Sequence, residues 1–243
     1  MKNIHEKTIK DLVEENPNLI EYFEVQGIDY CCSGTQTLQH AIEKGSLDAT
    51  DVLAEVDEIL NAAAENSSST TLLVDPAYLS VSSLIQYITD KHHTFTRFRL
   101  DELDQLTEKI AHVHGDAHPE LIELRTLFVT FKGELTRHLQ KEELYVFPSL
   151  IQLEKKSASG ETESIREVDA LWADIGQEHN DTGEVLVRFQ QLTSGYTPPA
   201  DACDSYQRTF SRLKELTKDI HLHVYLEENV LLPKAQKIYQ NLK

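Results

Sequence analysis

Two long stretches of this 243-residue chain carry the same apolar pattern, and each leads into the same polar motif. Apolar side chains recur at alternating steps of three and four residues over 121–135 and 213–220, which keeps them on one core-facing stripe of a helix. Each stripe continues into His-x-x-x-Glu-Glu, with a proline ten residues after the histidine. The two copies are His138, Glu142, Glu143, Pro148 and His223, Glu227, Glu228, Pro233.

Two further helical stretches match each other and contribute one histidine each, His92 and His179. The four patterns cover about 80–113, 118–156, 164–194 and 200–241, and short breaks separate them. Long helices joined by short connections form antiparallel bundles. Only 9 glycines and 7 prolines leave little room for an all-β or loop-rich fold. The sequence therefore predicts an all-α protein built around an antiparallel four-helix bundle.

Six polar side chains on these core-facing stripes need partners that an apolar interior does not supply, because burying an unpaired carboxylate costs several kcal/mol. Residues i and i+4 of a helix lie about 5–6 Å apart at Cβ, so each His-x-x-x-Glu offers two ligands to one region. Mixed imidazole and carboxylate ligands suit iron better than structural zinc. The predicted ligands of two metal ions are His92, His138, Glu142, His179, His223 and Glu227.

The depth of these histidines along their helices supports a common site. His92 and His179 lie 12 and 15 residues from the predicted starts of their helices, and His138 and His223 each lie 18 residues from the predicted ends. In an up-down-up-down bundle those helix ends share one pole. At about 1.5 Å per residue the depths agree within roughly 9 Å, so the six side chains are expected to converge.

Other polar residues are weaker candidates for metal ligands. His93 is the main alternative to His92, but on an α-helix it points about 100° away from the stripe. Glu143 and Glu228 also fall off the stripe and are interpreted as solvated or as supporting groups outside the ligand set. No role is assigned to the remaining histidines, which are His5, His40, His112, His114, His118 and His221.

A small helical domain is predicted to precede the bundle. The expected organisation is a helical domain over 1–64, a linker over 65–79 that begins with a polar Glu-Asn-Ser-Ser-Ser-Thr-Thr stretch, and the bundle over 80–243. Gly27 is expected to end a helix in the first domain. Residues 1–65 hold 14 acidic and 4 basic side chains, which is −10 of the formal net charge of −18.

The acidic balance and the termini exclude several classes of protein. Binding to nucleic acid or to an anionic membrane needs a basic patch, and no stretch approaches the roughly 18 apolar residues of a transmembrane helix. The first residues lack the basic start and apolar run of a secretory signal. Three cysteines, two of them adjacent, do not form a disulfide framework. We therefore expect a cytoplasmic protein with reduced thiols and without nucleic-acid or membrane partners.

The adjacent Cys31 and Cys32 have two interpretations. Cysteine is often simply a small buried hydrophobe. Alternatively, the pair lies at a helix start, where the positive end of the helix dipole favours thiolates that hold iron, a cluster fragment or a nitrosyl group. Cys31 and Cys32 are thus the candidate catalytic thiols, whereas Cys203 is expected to serve packing.

With these residues the chain resembles the hemerythrin-like di-iron bundle, which pairs single-histidine helices with His-x-x-x-Glu helices. The whole chain resembles one branch of it, the repair-of-iron-centres (RIC) family, whose di-iron proteins are linked to restoring iron–sulfur clusters after oxidative or nitrosative stress. Three stretches carry this resemblance: Asp29-Tyr30-Cys31-Cys32-Ser33-Gly34, Lys141-Glu142-Glu143 after His138, and Leu226-Glu227-Glu228-Asn229 after His223.

The resemblance implies a ligand set for two iron ions. Glu142 and Glu227 would bridge the ions beside an oxo or hydroxo group. The terminal ligands would be His92, His138, His179 and His223. Oxygen-carrying hemerythrins use a fifth histidine, and no clear fifth ligand lies on the stripes, which argues against reversible O₂ carriage. Ferritin-like proteins use Glu-x-x-His, the reverse order, and fit less well.

Three functions follow from this resemblance. The first is repair of damaged iron–sulfur clusters, with the di-iron centre as iron source, as a redox site for nitric oxide, or as both. The second is a di-iron sensor or store for O₂ or NO. The third is an enzyme that reduces nitric oxide at the di-iron site. The expected partners are damaged iron–sulfur proteins and NO or O₂, and the oligomeric state, a homodimer included, stays open.

Overall fold

The chain forms two compact units, Met1–Tyr78 and Leu79–Lys243. The computed structural model describes residues 4–16, 18–30, 34–65, 76–159 and 166–242. Most of the predicted linker, residues 66–75, lies outside the described residues, as do Cys31, Cys32 and Ser33.

The N-terminal unit consists of short helices around a small apolar core. A 3₁₀ turn at Ile4–Glu6 precedes α1 (Ile9–Glu15), α2 (Leu19–Gln26), α3 (Leu38–Gly45) and α4 (Ala49–Glu65), and a second 3₁₀ turn covers Pro76–Tyr78. Gly27 ends α2 with a φ of +69°, a left-handed conformation that glycine adopts without a Cβ clash. The helical N-terminal region predicted from the sequence is thus present.

The start of α1 holds the chain that follows the cysteine pair. Thr8 and Asp11 form a capping box at the first turn of α1, which satisfies two of the N–H groups that a helix start leaves unpaired. The Lys10 N–H donates to the Gly34 carbonyl at 2.8 Å and the Ile9 N–H to the Gln36 carbonyl at 2.9 Å. The segment directly after Ser33 is therefore anchored on α1.

The C-terminal unit is a bundle of four helical rods in its described ranges. Rod 1 consists of α5 (Val81–Tyr87), a π turn (Ile88–His93) and α6 (Thr94–His114). Rod 2 consists of α7 (Glu120–Lys141), a π turn (Glu142–Val146) and α8 (Phe147–Ser159). Rod 3 is the continuous helix α9 (Arg166–Leu192). Rod 4 consists of α10 (Asp204–Leu226), a π turn (Glu227–Leu231) and α11 (Leu232–Leu242).

Neighbouring rods run antiparallel, as side-chain contacts at one pole show. The Glu154 carboxylate of α8 accepts the Val81 and Ser82 N–H groups at 2.7 and 3.0 Å, and Lys234 of α11 donates to the Leu79 carbonyl at 2.9 Å. The start of rod 1 therefore meets the ends of rods 2 and 4. Around the bundle α6 packs on α7 and α10, and α9 packs on the same two helices.

An apolar layer on one side of the polar stripe residues fixes the bundle. Phe131 and Phe189 pack edge to face at 5.2 Å between ring centroids, and Phe128 lies against both. All three side chains are buried, and burying a side chain of this size stabilises a fold by roughly 1.5–3 kcal/mol. The predicted all-α four-helix bundle is confirmed. Among the helices of the described ranges, none has both the length and the apolar character needed to cross a membrane.

Candidate metal centre

Buried histidines and glutamates from the four rods meet in two groups. The first, the His93 group, consists of His93, Glu142, His223 and Glu227. Within it the Nε2 atoms of His93 and His223 are 3.1 Å apart. His93 Nε2 lies 3.4 Å from Glu142 Oε2, and His223 Nε2 lies 3.0 Å from Glu227 Oε1. These ligand atoms all lie within 4.8 Å of one another, so they can surround one metal ion.

The second group, the His138 group, uses the same two carboxylates. It consists of His138, Glu142, His179 and Glu227. His138 Nε2 lies 3.2 Å from Glu142 Oε1, and His179 Nε2 lies 3.1 Å from Glu227 Oε2. This group has the same composition as the His93 group, two imidazoles and two carboxylate oxygens, and it too can surround one ion.

Each shared carboxylate offers one oxygen to each group. Glu142 directs Oε2 to His93 and Oε1 to His138, and Glu227 directs Oε1 to His223 and Oε2 to His179. Both side chains are buried, and Oε2 of each faces an imidazole nitrogen without a hydrogen bond of good geometry to it. A buried carboxylate oxygen without a partner costs free energy, and a cation would compensate that cost. The residues present therefore fit a pair of metal ions.

A second layer of carboxylates orients the imidazoles from behind. The Nδ1 atoms of His93, His138 and His179 each lie 2.7 Å from a glutamate oxygen. Such a carboxylate accepts a hydrogen bond from Nδ1–H, which places the lone pair on Nε2, facing the metal position. The three glutamates are Glu143, Glu178 and Glu228, respectively.

Two of these glutamates are themselves held by basic side chains. Arg97 donates to Glu143 at 2.9 Å, and Lys141 donates to Glu178 at 2.9 Å. Glu143 and Glu228, which the sequence left as solvated or supporting groups, are supporting groups. The role of Glu178 is not predictable from the sequence, because its contact with His138 joins two helices and no spacing within either helix marks it.

The electrostatics of the two groups favour cations. Burial alone would lower the pKa of His93, but its contacts with Glu142 and Glu227 outweigh burial and raise that pKa to about 10. The same balance raises the pKa of His179, whereas burial dominates at His223 and lowers its pKa. Burial alone would raise the pKa of Glu142 and Glu227, but the neighbouring imidazoles hold both below the ordinary value. Two ionised carboxylates therefore lie inside the bundle.

The structure brings His93, and not the predicted His92, together with the carboxylates of its group. The apolar stripe of rod 1 runs through Val81, Ile85 and Ile88 and reaches His92 if the helix stays α-helical. A π turn covers Ile88–His93, and such a turn advances the hydrogen-bonding step from four residues to five. The residue five positions after Ile88 is His93. The extra residue thus exchanges which of the two adjacent histidines faces the carboxylates.

The other two π turns shift their stripes in the same way. On rod 2 a stripe of α-helical spacing through Glu142 would reach Tyr145, but Tyr145 is 61% exposed and Val146 and Phe147 are buried instead. On rod 4 the same spacing from Glu227 would reach Val230, but Leu231 is the buried residue. Each of the three π turns begins or ends at a residue of the two groups, and single π turns are frequent at functional sites.

His92 and the three cysteines lie outside the two ligand groups of the described residues. His92 is buried, and its Nδ1 lies 3.0 Å from Asp219 Oδ1, outside both groups. Cys203 does not serve packing, since it is exposed at the start of α10 with its sulfur 3.2 Å from His114 Nε2. The candidate thiols Cys31 and Cys32 lie outside the described residues.

A groove between α7 and α9 reaches the His138 group from outside. Its volume is about 630 Å³, and its lining includes His138, Glu178, Lys141, Thr182 and Val185. One imidazole of the His138 group and the carboxylate behind it therefore border an open space.

Comparison with known families agrees with this arrangement. The hemerythrin HHE cation binding domain matches residues 84–235, which contain both groups. A family described as a domain of unknown function (DUF542) matches residues 5–60 in the N-terminal unit. The fold and the site thus define a cation-binding helical bundle preceded by a second, separate domain.

Whole-length relatives narrow the class further. An iron-sulfur cluster repair protein ScdA of Staphylococcus epidermidis is 32% identical over 95% of this chain and 98% of its own length. An iron-sulfur cluster repair protein YtfE of Musicola paradisiaca is 31% identical over 95% of this chain and 96% of its own length. The chain belongs to the hemerythrin HHE family, and within it to the two-domain branch that contains the ScdA and YtfE proteins.

Proposed function

We propose that this protein repairs damaged iron–sulfur clusters by means of two iron ions held in its bundle. The observation that carries the proposal is the pair of buried carboxylates, Glu142 and Glu227, each with one oxygen in each ligand group. The family supplies the reaction, since relatives that match the chain over nearly its whole length are named iron-sulfur cluster repair proteins. The proposed ligands are His93, His138, Glu142, His179, His223 and Glu227.

The chemistry of the donor set supports iron. Each group offers two imidazole nitrogens and two carboxylate oxygens, a mixture that suits iron and leaves positions open for exchange. Iron bound in this way supplies one-electron redox chemistry and positions at which a small ligand such as NO or O₂ exchanges. Carboxylates can change between bridging and terminal binding, so Glu142 and Glu227 are suited to holding iron that is later released.

The surrounding side chains keep the centre ready for loading. Glu143, Glu178 and Glu228 hold three of the imidazoles with their Nε2 lone pairs directed inward. The apolar layer around Phe131 and Phe189 excludes water on one side. Glu178 and His138 border the groove between α7 and α9, which gives iron a short path between solvent and the His138 group.

In this proposal iron is also a substrate, which passes from the bundle to a damaged iron–sulfur protein. Cys31 and Cys32 are proposed to receive iron or a cluster fragment, because thiolates bind both. The N-terminal 65 residues carry a net charge of −10. That charge would attract iron cations and a basic surface on the client protein.

Replacing both shared carboxylates tests the proposal. The double variant Glu142→Leu, Glu227→Leu removes every carboxylate ligand and keeps the interior apolar. Proteins often tolerate the replacement of buried charged groups by apolar residues of similar volume. We expect it to fold, to bind no iron and to lose transfer of iron to an apo-cluster protein. The control is Glu108→Leu, an exposed position on α6 away from the groove, which should keep two irons per chain.

The same assay separates repair from the two other functions. Repair activity that persists in the iron-free double variant would contradict the proposal. Binding of NO or O₂ without any transfer of iron would indicate a sensor or store. Consumption of NO over many turnovers with an electron donor, and without rebuilding of clusters, would indicate a nitric oxide reductase.

A further inference from the structure

We propose that His92 is an alternative ligand for the ion of the His93 group, and that His92 and His93 exchange when the π turn of rod 1 shifts by one residue. The inference rests on the proposed metal centre. It adds a seventh side chain to that centre, at one end only.

His92 has the same surroundings as the ligand histidines. It is fully buried, and its Nδ1 lies 3.0 Å from Asp219 Oδ1, as the Nδ1 of His93 lies 2.7 Å from Glu143. With Nδ1–H donating to the Asp219 carboxylate, the lone pair of the ring lies on Nε2. That Nε2 atom is buried and has no hydrogen-bond partner among the described residues. A buried nitrogen with a free lone pair needs a partner, and a metal ion is one.

His92 also lies next to the group that it would join. Its ring is stacked on His223 with 5.9 Å between centroids and 10° between planes. The ring of His93 lies 4.8 Å from the same His223 ring. Both adjacent histidines therefore contact one ligand of the His93 group, and the ring of His92 lies about 1 Å farther from it.

The π turn supplies the motion that the exchange requires. The residues on either side of it, Tyr87 and Thr94, have ordinary right-handed helical dihedrals, so the π turn lies between two regular helical segments and can shift by one residue at their junction. A shift by one position would place His92 on the stripe of Val81, Ile85 and Ile88. The ion would then keep its imidazole count while His93 turns away.

Among the described residues, the other end of the centre has no adjacent histidine that could act as a substitute. The residue before His179 is Glu178, whose carboxylate supports His138. His179 lies on α9, which is a continuous α-helix over Arg166–Leu192. Removal of His179 therefore provides a matched control for removal of His93, since the two residues have the same role in their groups.

Metal stoichiometry and affinity test the exchange without reference to activity. Four variants of the full chain are loaded anaerobically with Fe(II): His93→Ala, His179→Ala, His92→Phe and the double variant His92→Phe, His93→Ala. Iron per chain is measured after gel filtration, and dissociation constants by competition with a chelator. We expect two ions in His93→Ala, one of them bound roughly 10-fold more weakly, two in His92→Phe, and one each in His179→Ala and the double variant.

The control variants make the result decisive. Circular dichroism establishes that each variant is helical, and His93→Gln, which leaves a smaller gap, replaces His93→Ala if the alanine variant unfolds. Equal loss of iron in the His93 and His179 variants would overturn the inference, as would a double variant that binds as much iron as His93→Ala. Fewer than two ions in the unmodified protein would instead contradict the proposed centre itself.

Discussion

The two ends of the centre have the same donors but different surroundings. The His93 group lies between rods 1 and 4, and the His138 group lies between rods 2 and 3. His138 and Glu178 border an open groove of about 630 Å³, and the Glu178 side chain is 38% exposed. Glu143, which supports His93 in the same way, is 28% exposed. The repeated helix pair thus duplicates the ligands and not their environment.

Two threonines at equivalent positions show that the surroundings of the two ligand groups differ. Thr96 follows His93 by three residues and is fully buried, and its hydroxyl has no partner among the described residues. Thr182 follows His179 by three residues and lines the groove. One threonine is therefore enclosed in the bundle, whereas the other lines the groove that borders His138. This difference suits a centre whose two ions have unequal access to solvent.

The largest effect is expected from the carboxylates behind the imidazoles. The double variant Glu178→Gln, Glu228→Gln withdraws the charge from both supports of the His138 group. Loss of such a support typically costs 10–100-fold in metal affinity, so we expect one ion to weaken by at least roughly that factor while the other stays near its original affinity. Chelator competition with Fe(II) measures both dissociation constants.

The variant Glu143→Gln applies the same change to the other end. Glu143 supports His93, so this variant should weaken the ion of the His93 group and leave the His138 group intact. If either variant weakens both ions equally, the two ends are not independent and the comparison fails.

A smaller effect is expected from closing the groove. Val185 lines it, and replacing Val185 with tryptophan should narrow the path to His138. We expect iron release to a chelator to have a fast and a slow phase, and the variant Val185→Trp to slow the fast phase by several-fold. Stopped-flow absorbance measures both rates. The control is Val187→Trp, on the exposed side of the same helix. Release in a single phase would show that both ends have equal access.

The smallest effect is expected from a set of ion pairs between α6 of rod 1 and α7 of rod 2, the rods that supply His93 and His138. Hydrogen bonds from Arg125 and Lys132 of α7 hold the pKa of Asp104 on α6 below its ordinary value of 3.8. A lowered carboxyl pKa stabilises the fold above pH 3.8, and this stabilisation is lost as the pH falls through the lowered value.

The variant Asp104→Asn should therefore reduce the free energy of unfolding at pH 7 by less than about 1 kcal/mol, because the partners are partly exposed. The difference from the original chain should shrink below pH 3.8. Urea denaturation at both pH values measures it. The affinities of both metal ions should stay unchanged, and a change at one end alone would show that these ion pairs influence metal binding.

Much of the fold and of the site could be predicted from local pattern. The three-and-four steps through Leu121, Phe128 and Leu213 predict buried stripes, and all three side chains are buried. The two His-x-x-x-Glu copies predicted four of the clustered side chains, and the matched pattern of the two other helices predicted a fifth, His179. The supporting contact of Glu178 with His138 could not be predicted, because it joins two helices and depends on how they pack.

The sequence by itself determined the bundle and the types of donor inside it, because helical periodicity and the cost of burying unpaired charge act on local spacing alone. Only the tertiary structure decided which histidine of the His92 and His93 pair faces the carboxylates. That choice depends on a π turn, and a π turn persists where packing between rods offsets its irregular hydrogen bonding. Packing also decided that the His138 group opens to a groove, since the gap between α7 and α9 depends on contacts between helices that are far apart in the chain.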